Sequence, residues 1–381
     1  MPARRSQHPL LKQLKALATL PLEQATAMPP EVYHDPEIHR LELERIFARD
    51  WLCAGRAESI PRKGDYFTYR IADQPIFVMR GSDGEVNAWS NVCRHRMMRL
   101  LDGDGSCRRI VCPYHAWTYD IDGRLVAAKH MERTAVFDQA DIRLHPVRAE
   151  VWQGWVYVTL SPDTPQVADL LAPLADIVAD YRMGDYVEVV RQDHVWNTNW
   201  KLLTENFMEG YHLPVTHRKT VGAYFPAEET EFSGGTPHEA FTYQLFQKTE
   251  EAPIGTAHPD NTVLQGRWRT TSVMPTVFPS HMYVLAPDHL WYLSLQPAAI
   301  DKVAIRYGVA FAPEKLAAAN DRDTLVEQAS DFLWKVNLED RFVVEGLFEG
   351  TSAPLAQPGP LSWLERENHE FTGYIARRLT A

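Results

Sequence analysis

Four side chains able to grip a transition metal lie in one stretch, "CRHRMMRLLDGDGSCRRIVCPYH": Cys93, His95, Cys112 and His115. The spacing is C-x-H, sixteen residues, then C-x2-H. Two thiolates and two imidazoles can complete a zinc tetrahedron. They can also hold a Rieske [2Fe–2S] cluster, with both Cys on one iron and both His on the other. Order separates these readings. Zinc fingers usually pair Cys with Cys and His with His, whereas here each loop supplies one thiolate and one imidazole. Two loops clamping a rhombic cluster from opposite sides require that order. Cys53 and Cys107 have no matching partner and read as plain thiols.

A second constellation lies in "TENFMEGYHLPVTHR". His212 and His217 would diverge by about 140° on an uninterrupted helix. Pro214 disfavours the α conformation at Leu213, so it should end the helix and let His217 swing back. Two imidazoles and one carboxylate make a facial triad for Fe(II) with open positions. In "DFLWKVNLEDRFVVEGLF", helical spacing puts Leu333, Val336, Val343 and Leu347 on one face with Asp340 in its middle. Glu345 points away and Glu339 sits at the edge. A carboxylate on an apolar face is costly unless paired or metal-bound, which selects Asp340 as third ligand. Glu209, three residues before His212, can share a helix face with it. Glu205 and Asn206 are candidates to hydrogen-bond the ligands, or equally to cap or stabilise the helix.

These groups need scaffolds. Residues 35–49 follow the helical period after the start signal Asp35-Pro36, and Leu10, Leu14 and Leu17 suggest a short amphipathic helix before them. From about Trp51 to Leu160, short β-rich runs alternate with Gly/Asp turns. Among them are a hairpin through Asp122-Gly123 and a strand at "VWQGWVYVTL". "SPDTPQVADLLAPL" reads as the junction. Beyond it, strands mix with helices, the last long helix covering Asn320 to about Glu349. The expected organisation is 1–50 as an N-terminal helical segment packed on the catalytic domain, 51–160 as a small antiparallel β domain carrying the Cys/His loops, and 161–381 as the catalytic domain. Strands and helices segregate, so the class is α+β.

Composition narrows the function. A net charge of −11 offers no basic field for a phosphate backbone, so nucleic-acid binding is disfavoured. Arg94, Arg96, Arg99, Arg108 and Arg109 nevertheless cluster around the Cys/His pairs. They form either a solvated face or a docking surface for an acidic redox partner. No apolar run is long enough for a membrane span, and four cysteines suit a reducing cytoplasm.

Through "CRHRMMRLLDGDGSCRRIVCPYHAWTYDIDGRL" the chain resembles the catalytic α-subunits of Rieske-type non-haem iron oxygenases, and the resemblance extends over nearly its whole length. The resemblance implies a Rieske domain joined to a helix-grip-like catalytic domain of antiparallel sheet and helices. It implies a [2Fe–2S] cluster on Cys93, His95, Cys112 and His115, and mononuclear Fe(II) on His212, His217 and Asp340. It implies a separate reductase or ferredoxin, with NAD(P)H acting only indirectly through it, and a head-to-tail homotrimer. Glu209 would link His212 to His115 of a neighbouring subunit. The usual ring-hydroxylating pattern has Asp at this position, and "NFMEGYH" is one residue shorter between Asn and His. A bridging Glu resembles the branch that hydroxylates or demethylates quaternary ammonium and N-methyl substrates using O2. Tyr211, Phe207, Trp200, Tyr283, Trp291 and Tyr292 are candidates for a cation-binding box. The alternatives are hydroxylation or O-demethylation of an aromatic acid, and a non-catalytic Rieske electron carrier with a ligand-binding domain.

Overall fold

The computed structural model describes residues 8–232, 237–250, 252 and 254–380. The chain divides into two compact units, Phe47–Asp169 and a larger one formed by residues up to Ile46 together with Leu170 onward. Both are built on antiparallel sheet, and the fold is α+β.

The smaller unit holds β1 (Leu52–Arg56), β2 (Asp65–Ile71), β3 (Gln74–Arg80), β4 (Val86–Ser90), β5 (Asp104–Ser106), β6 (Ile110–Val111), β7 (Thr118–Tyr119), β8 (Leu125–Ala127), β9 (Pro146–Trp152) and β10 (Trp155–Thr159). Seven form one sheet in the order β1-β10-β9-β4-β3-β2-β5, and β6-β7-β8 form a small second sheet. The β7–β8 turn contains Gly123 at φ 82°, as its Asp-Gly sequence predicts. "VWQGWVYVTL" is two strands instead of the single strand expected. Gln153 and Gly154 both take positive φ, 50° and 85°, and close a tight hairpin between Trp152 and Trp155.

In the larger unit, α1 (Pro9–Leu17) packs on the C-terminal helix and buries Leu10, Leu11 and Leu14, leaving Leu17 half-buried. α2 (Pro36–Glu42) starts where Asp35 caps the backbone N–H groups of Glu37 and Ile38, at 2.8 and 2.9 Å. α3 (Val167–Leu170) straddles the boundary between the units and leads to α4 (Ala172–Val178). Seven further strands follow: β11 (Val187–Trp196), β12 (Glu231–Phe232), β13 (Phe241–Gln247), β14 (Thr271–Val277), β15 (His281–Leu285), β16 (His289–Ala299) and β17 (Lys302–Phe311). They pair in the order β11-β17-β16-β15-β14-β13-β12. α5 (Trp200–Met208), α6 (Leu213–Thr216), α7 (Pro313–Ala317), α8 (Arg322–Thr351) and α9 (Arg366–Thr380) complete the unit.

Three elements position the second constellation. α8 packs against β11, α5 and α6, while α5 also contacts β14, β15 and β16. α8 matches the expected long helix, but its buried positions are Leu333, Val336, Asn337 and Val344. Val343 is only half-buried and Leu347 is exposed, so the apolar stripe drifts by a residue after Asp340. A 3.6-residue period drifts against any fixed heptad spacing over thirty residues. α9 is absent from the sequence reading, although Phe371, Tyr374, Ile375 and Leu379 are its buried stripe.

Candidate metal centres

Two loops of the smaller unit are built alike. The Cys93 N–H donates to the Met98 carbonyl at 2.8 Å, and the Met97 N–H returns to the Cys93 carbonyl at 3.1 Å. The Cys112 N–H donates to the Trp117 carbonyl at 2.8 Å, and the Ala116 N–H returns to the Cys112 carbonyl at 3.0 Å. Met97 and Ala116, each four residues past its cysteine, both take left-handed φ, 56° and 57°. Each loop therefore wraps its own cysteine.

Cys93 and Cys112 are buried in one apolar cluster with Trp89, Leu100, Trp117 and Tyr119. The imidazoles of His95 and His115 meet with ring centroids 4.7 Å apart, and Trp117 stacks on His95 at 4.7 Å. His95 Nδ1 is buried without a hydrogen-bond partner, which suits an atom reserved for a metal. Burial, then His115 and Arg96, hold the His95 imidazole below its usual pKa, in its neutral ligating form. The Tyr119 hydroxyl lies 3.3 Å from Cys93 Sγ and accepts the Arg94 N–H at 3.0 Å. The five arginines around the loops are exposed, as are Met97, Met98 and Tyr114.

In the larger unit His212, His217 and Asp340 come together, with potential ligand atoms all within 4.8 Å of one another. His217 Nε2 is 3.0 Å and His212 Nε2 3.6 Å from the same atom, Asp340 Oδ1. The outer nitrogens are held by other carboxylates. His212 Nδ1 lies 2.5 Å from Glu209 Oε1, and His217 Nδ1 lies 2.8 Å from Glu339 Oε2. Each imidazole is thus oriented with Nε2 inward, as ligating histidines commonly are. Burial opposes charge on His212, but Asp340 and Glu209 outweigh it and raise its pKa to about 10. Burial likewise pushes Asp340 up, yet the two histidines hold it below the usual carboxylate range. This density of negative charge around two converging imidazoles is what a cation would neutralise, so the donor set fits a divalent metal.

The local backbone differs from the expected route. α5 ends at Met208, and Glu209 is its extended C-cap instead of a helical residue. Glu209 reaches His212 by also accepting its backbone N–H at 3.0 Å. Pro214 does not end a helix. It occupies the first turn of α6, where its missing N–H costs nothing, and His212 and His217 flank that short helix. Glu339 is more than an edge residue, because its Oε2 also accepts the Thr220 hydroxyl at 2.7 Å. The sequence reading assigns neither Glu339 nor Thr220 this role; the signal it offers is adjacency to Asp340 and the short step from His217. Glu345 accepts the Asn197 N–H at 3.0 Å and pairs with Arg341. Asn206 is buried but makes no hydrogen bond to the three candidate ligands. Glu205 instead accepts the Tyr33 hydroxyl, at 2.9 and 3.1 Å to its two oxygens.

A cavity of about 450 Å³ is bounded by Phe225, Phe246 and Trp291 among others, and it approaches the triad through Leu213, next to His212, and Val336, one turn from Asp340, although none of the three candidate ligands is in its described lining. Val284, Trp291 and Val309 form one cross-strand row on β15, β16 and β17, which directs them to a common face. Of the six aromatics expected to form a cation box, only Trp291 lines it. Phe207 packs behind Trp291 at 5.6 Å, Trp200 donates to Glu42, Tyr292 donates to Glu188, Tyr283 is fully buried and Tyr211 is exposed.

Residues 183–381 match the family described as "Ring hydroxylating alpha subunit (catalytic domain)", and residues 50–138 match "Rieske [2Fe-2S] domain". The chain is 37% identical over 212 residues to the glycine betaine monooxygenase oxygenase subunit of Chromohalobacter salexigens, covering 55% of this chain and 47% of that one. It therefore spans about half the length of that relative. It is 30% identical to the carnitine monooxygenase oxygenase subunit of Escherichia coli K12, covering 68% of this chain and 69% of that one. A solved quaternary ammonium Rieske monooxygenase shares the fold at 22% identity, with a TM-score of 0.81 over 96% of this chain and 98% of that one.

Proposed function

Since the chain belongs to the ring-hydroxylating alpha-subunit family of Rieske non-haem iron oxygenases, we propose that it oxidises a small organic substrate with O2 and reductase-supplied electrons. The preferred outcome is hydroxylation or demethylation of a quaternary ammonium or N-methyl compound. The observation that carries this reading is the convergence of His212 and His217 Nε2 on Asp340, beside a cavity large enough for a small molecule. Cys93, His95, Cys112 and His115 would hold the [2Fe–2S] cluster, and His212, His217 and Asp340 the mononuclear iron. When bound, the cluster carries single electrons and the iron supplies the oxygen chemistry.

The protein's own share is positional. Glu209 and Glu339 fix the imidazoles, and the apolar walls keep bulk water from the reacting carbon. Relatives that act on glycine betaine and carnitine support the substrate class. The exposed arginine-rich loops offer a reductase a basic docking face. Glu209 would face the His95/His115 loops of a second copy in a homotrimer, giving it the bridging role between subunits. No described helix is long and apolar enough to cross a membrane, and a cytoplasmic location is proposed from the low cysteine count.

Iron counting with electron paramagnetic resonance, followed by substrate-dependent O2 uptake on betaine and benzoate panels, tests the reading. Both metal signatures and uptake with a betaine are expected. Cluster iron without mononuclear iron would favour the electron carrier, and uptake with benzoates alone would favour the aromatic reading.

A further inference from the structure

The cavity beside the triad is long and electrically lopsided. Its lining on α8 runs from Val336, one turn from Asp340, back to Leu325. The eleven steps between them rise about 16 Å along the helix axis. Between the ends the described walls are mainly apolar, with Phe225, Phe246, Trp291 and Phe332 supplying aromatic surface. No carboxylate is among the described lining residues. Among the described lining residues the charged side chain is Lys315, accompanied by His289. Both belong to the sheet-and-α7 end: His289 opens β16, and Lys315 sits on α7 just after β17.

That end is built. Asp288 is 3% exposed and accepts from the Gly255 N–H at 2.9 Å, from His289 Nδ1 at 2.7 Å and from Lys315 Nζ at 3.1 Å. Asp288 therefore anchors both groups from behind. Lys315 has three N–H donors and spends one on Asp288. Its side chain keeps 30% of its surface open, and an anion entering the cavity can take a remaining donor. A bare cation finds no carboxylate in the described lining and meets an ammonium at this end.

We infer that this cavity receives an elongated substrate with an apolar middle and an anionic end group anchored on Lys315, its reacting carbon at the Leu213/Val336 end. The inference rests on the proposed oxygenase reading for the placement of the reacting carbon. It goes further in naming Lys315 as a specificity residue and in excluding short or purely cationic ligands as preferred occupants. A betaine whose carboxylate is separated from its N-methyl group by a long methylene spacer has this chemistry. Choline lacks the anion, and glycine betaine lacks the length.

The test is equilibrium binding to the metal-loaded protein, read by calorimetry without turnover. The probes are trimethylammonio-carboxylates of increasing chain length, the methyl esters of the same compounds, and choline. The expected result is affinity that rises with chain length, with the long acid bound about tenfold or more tighter than its ester. Lys315→Met should abolish the acid-over-ester preference while leaving ester affinity unchanged, and Lys315→Arg should restore it. Equal binding of acid and ester, tightest binding for the shortest acid, or an unchanged preference in Lys315→Met would each overturn the inference. Iron is counted on the same samples. Protein lacking the mononuclear iron but selecting long acids through Lys315 would sink the oxygenase reading alone. Fully loaded protein indifferent to the anion would sink the inference alone.

Discussion

At the residue scale, the triad separates cleanly from the Cys/His loops, because each is assembled inside its own compact unit. His212→Ala removes one of two imidazoles aimed at Asp340 and leaves the loops around Cys93 and Cys112 untouched. The variant should keep the red-brown Rieske spectrum, lose about one iron per chain and lose substrate-dependent O2 uptake. Normal uptake by His212→Ala would remove His212 from the centre. Tyr119 permits a finer test. A hydrogen bond from its hydroxyl to Cys93 Sγ stabilises the more negative, reduced form of a cluster bound there. Tyr119→Phe leaves the ring packing intact and removes that bond, so the potential should fall by roughly 40 mV, the equivalent of one neutral hydrogen bond. Voltammetry showing no fall would mean the hydroxyl serves only the Arg94 N–H.

At the scale of elements, α6 and the turn after it aim both histidines. A Cβ on Gly222 would lie 2.0 Å from the Leu213 carbonyl oxygen and 3.0 Å from that of His217. Gly222→Ala must therefore displace the backbone between the two ligands. It should cost roughly 2–4 kcal/mol of stability and most of the mononuclear iron, with cluster absorbance unchanged. Retained iron in a folded Gly222→Ala protein would show that the turn is not what sets His217.

α5 carries a second, pH-sensitive link, to Tyr33. Burial pushes the Glu205 carboxyl up to about 7, against the Tyr33 hydroxyl and Lys201, which favour its charged form. A folded-state pKa above the unfolded one means this contribution is fully present below the ordinary carboxylate range and is lost as pH rises through about 7. Glu205→Gln should flatten the loss of stability between pH 5 and 8, by an amount on the order of 2 kcal/mol. Denaturant melts of the two proteins with parallel pH dependence would contradict this.

These elements also show what the sequence could and could not disclose. Asp35-Pro36 and Asp122-Gly123 are readable because local backbone chemistry decides them. Asp340 is readable because a charge on a buried helical stripe needs a reason. The Gln153-Gly154 hairpin is harder, since Gln at positive φ is held by the strand pairing on either side and not by its own preference. Pro214 opens α6 instead of ending a helix, because the residue that stops one helix can equally start the next and the local sequence does not distinguish the two. Glu339 and Thr220 depend on contacts across more than a hundred residues, which no local pattern carries.

At the scale of the whole molecule, the proposed assembly turns on Glu209. Both its oxygens serve His212, yet it sits in a loop whose neighbours Tyr211 and Val215 are exposed. The smaller unit likewise exposes Met97, Met98 and Tyr114 around its loops. Apolar residues exposed beside both centres are what a contact between copies of the chain would cover. If the loops of one copy serve the triad of the next, damage to the two centres can be placed on different chains and still be complemented. A Cys93→Ser chain retains its triad, and an Asp340→Ala chain retains its loops. Each alone should be inactive. Co-folded in equal amounts into head-to-tail rings, they place an intact loop pair beside an intact triad at about one junction in four. The mixture should recover about a quarter of wild-type turnover per chain, since each ring junction then acts independently. Recovery should vanish when the Asp340→Ala chain is mixed with a Cys93→Ser chain that also carries Glu209→Ala, because the surviving triad then lacks its link. A mixture as inactive as its parents, in rings shown by native mass spectrometry to contain both chains, would place the electron path within a single polypeptide and end the bridging role of Glu209.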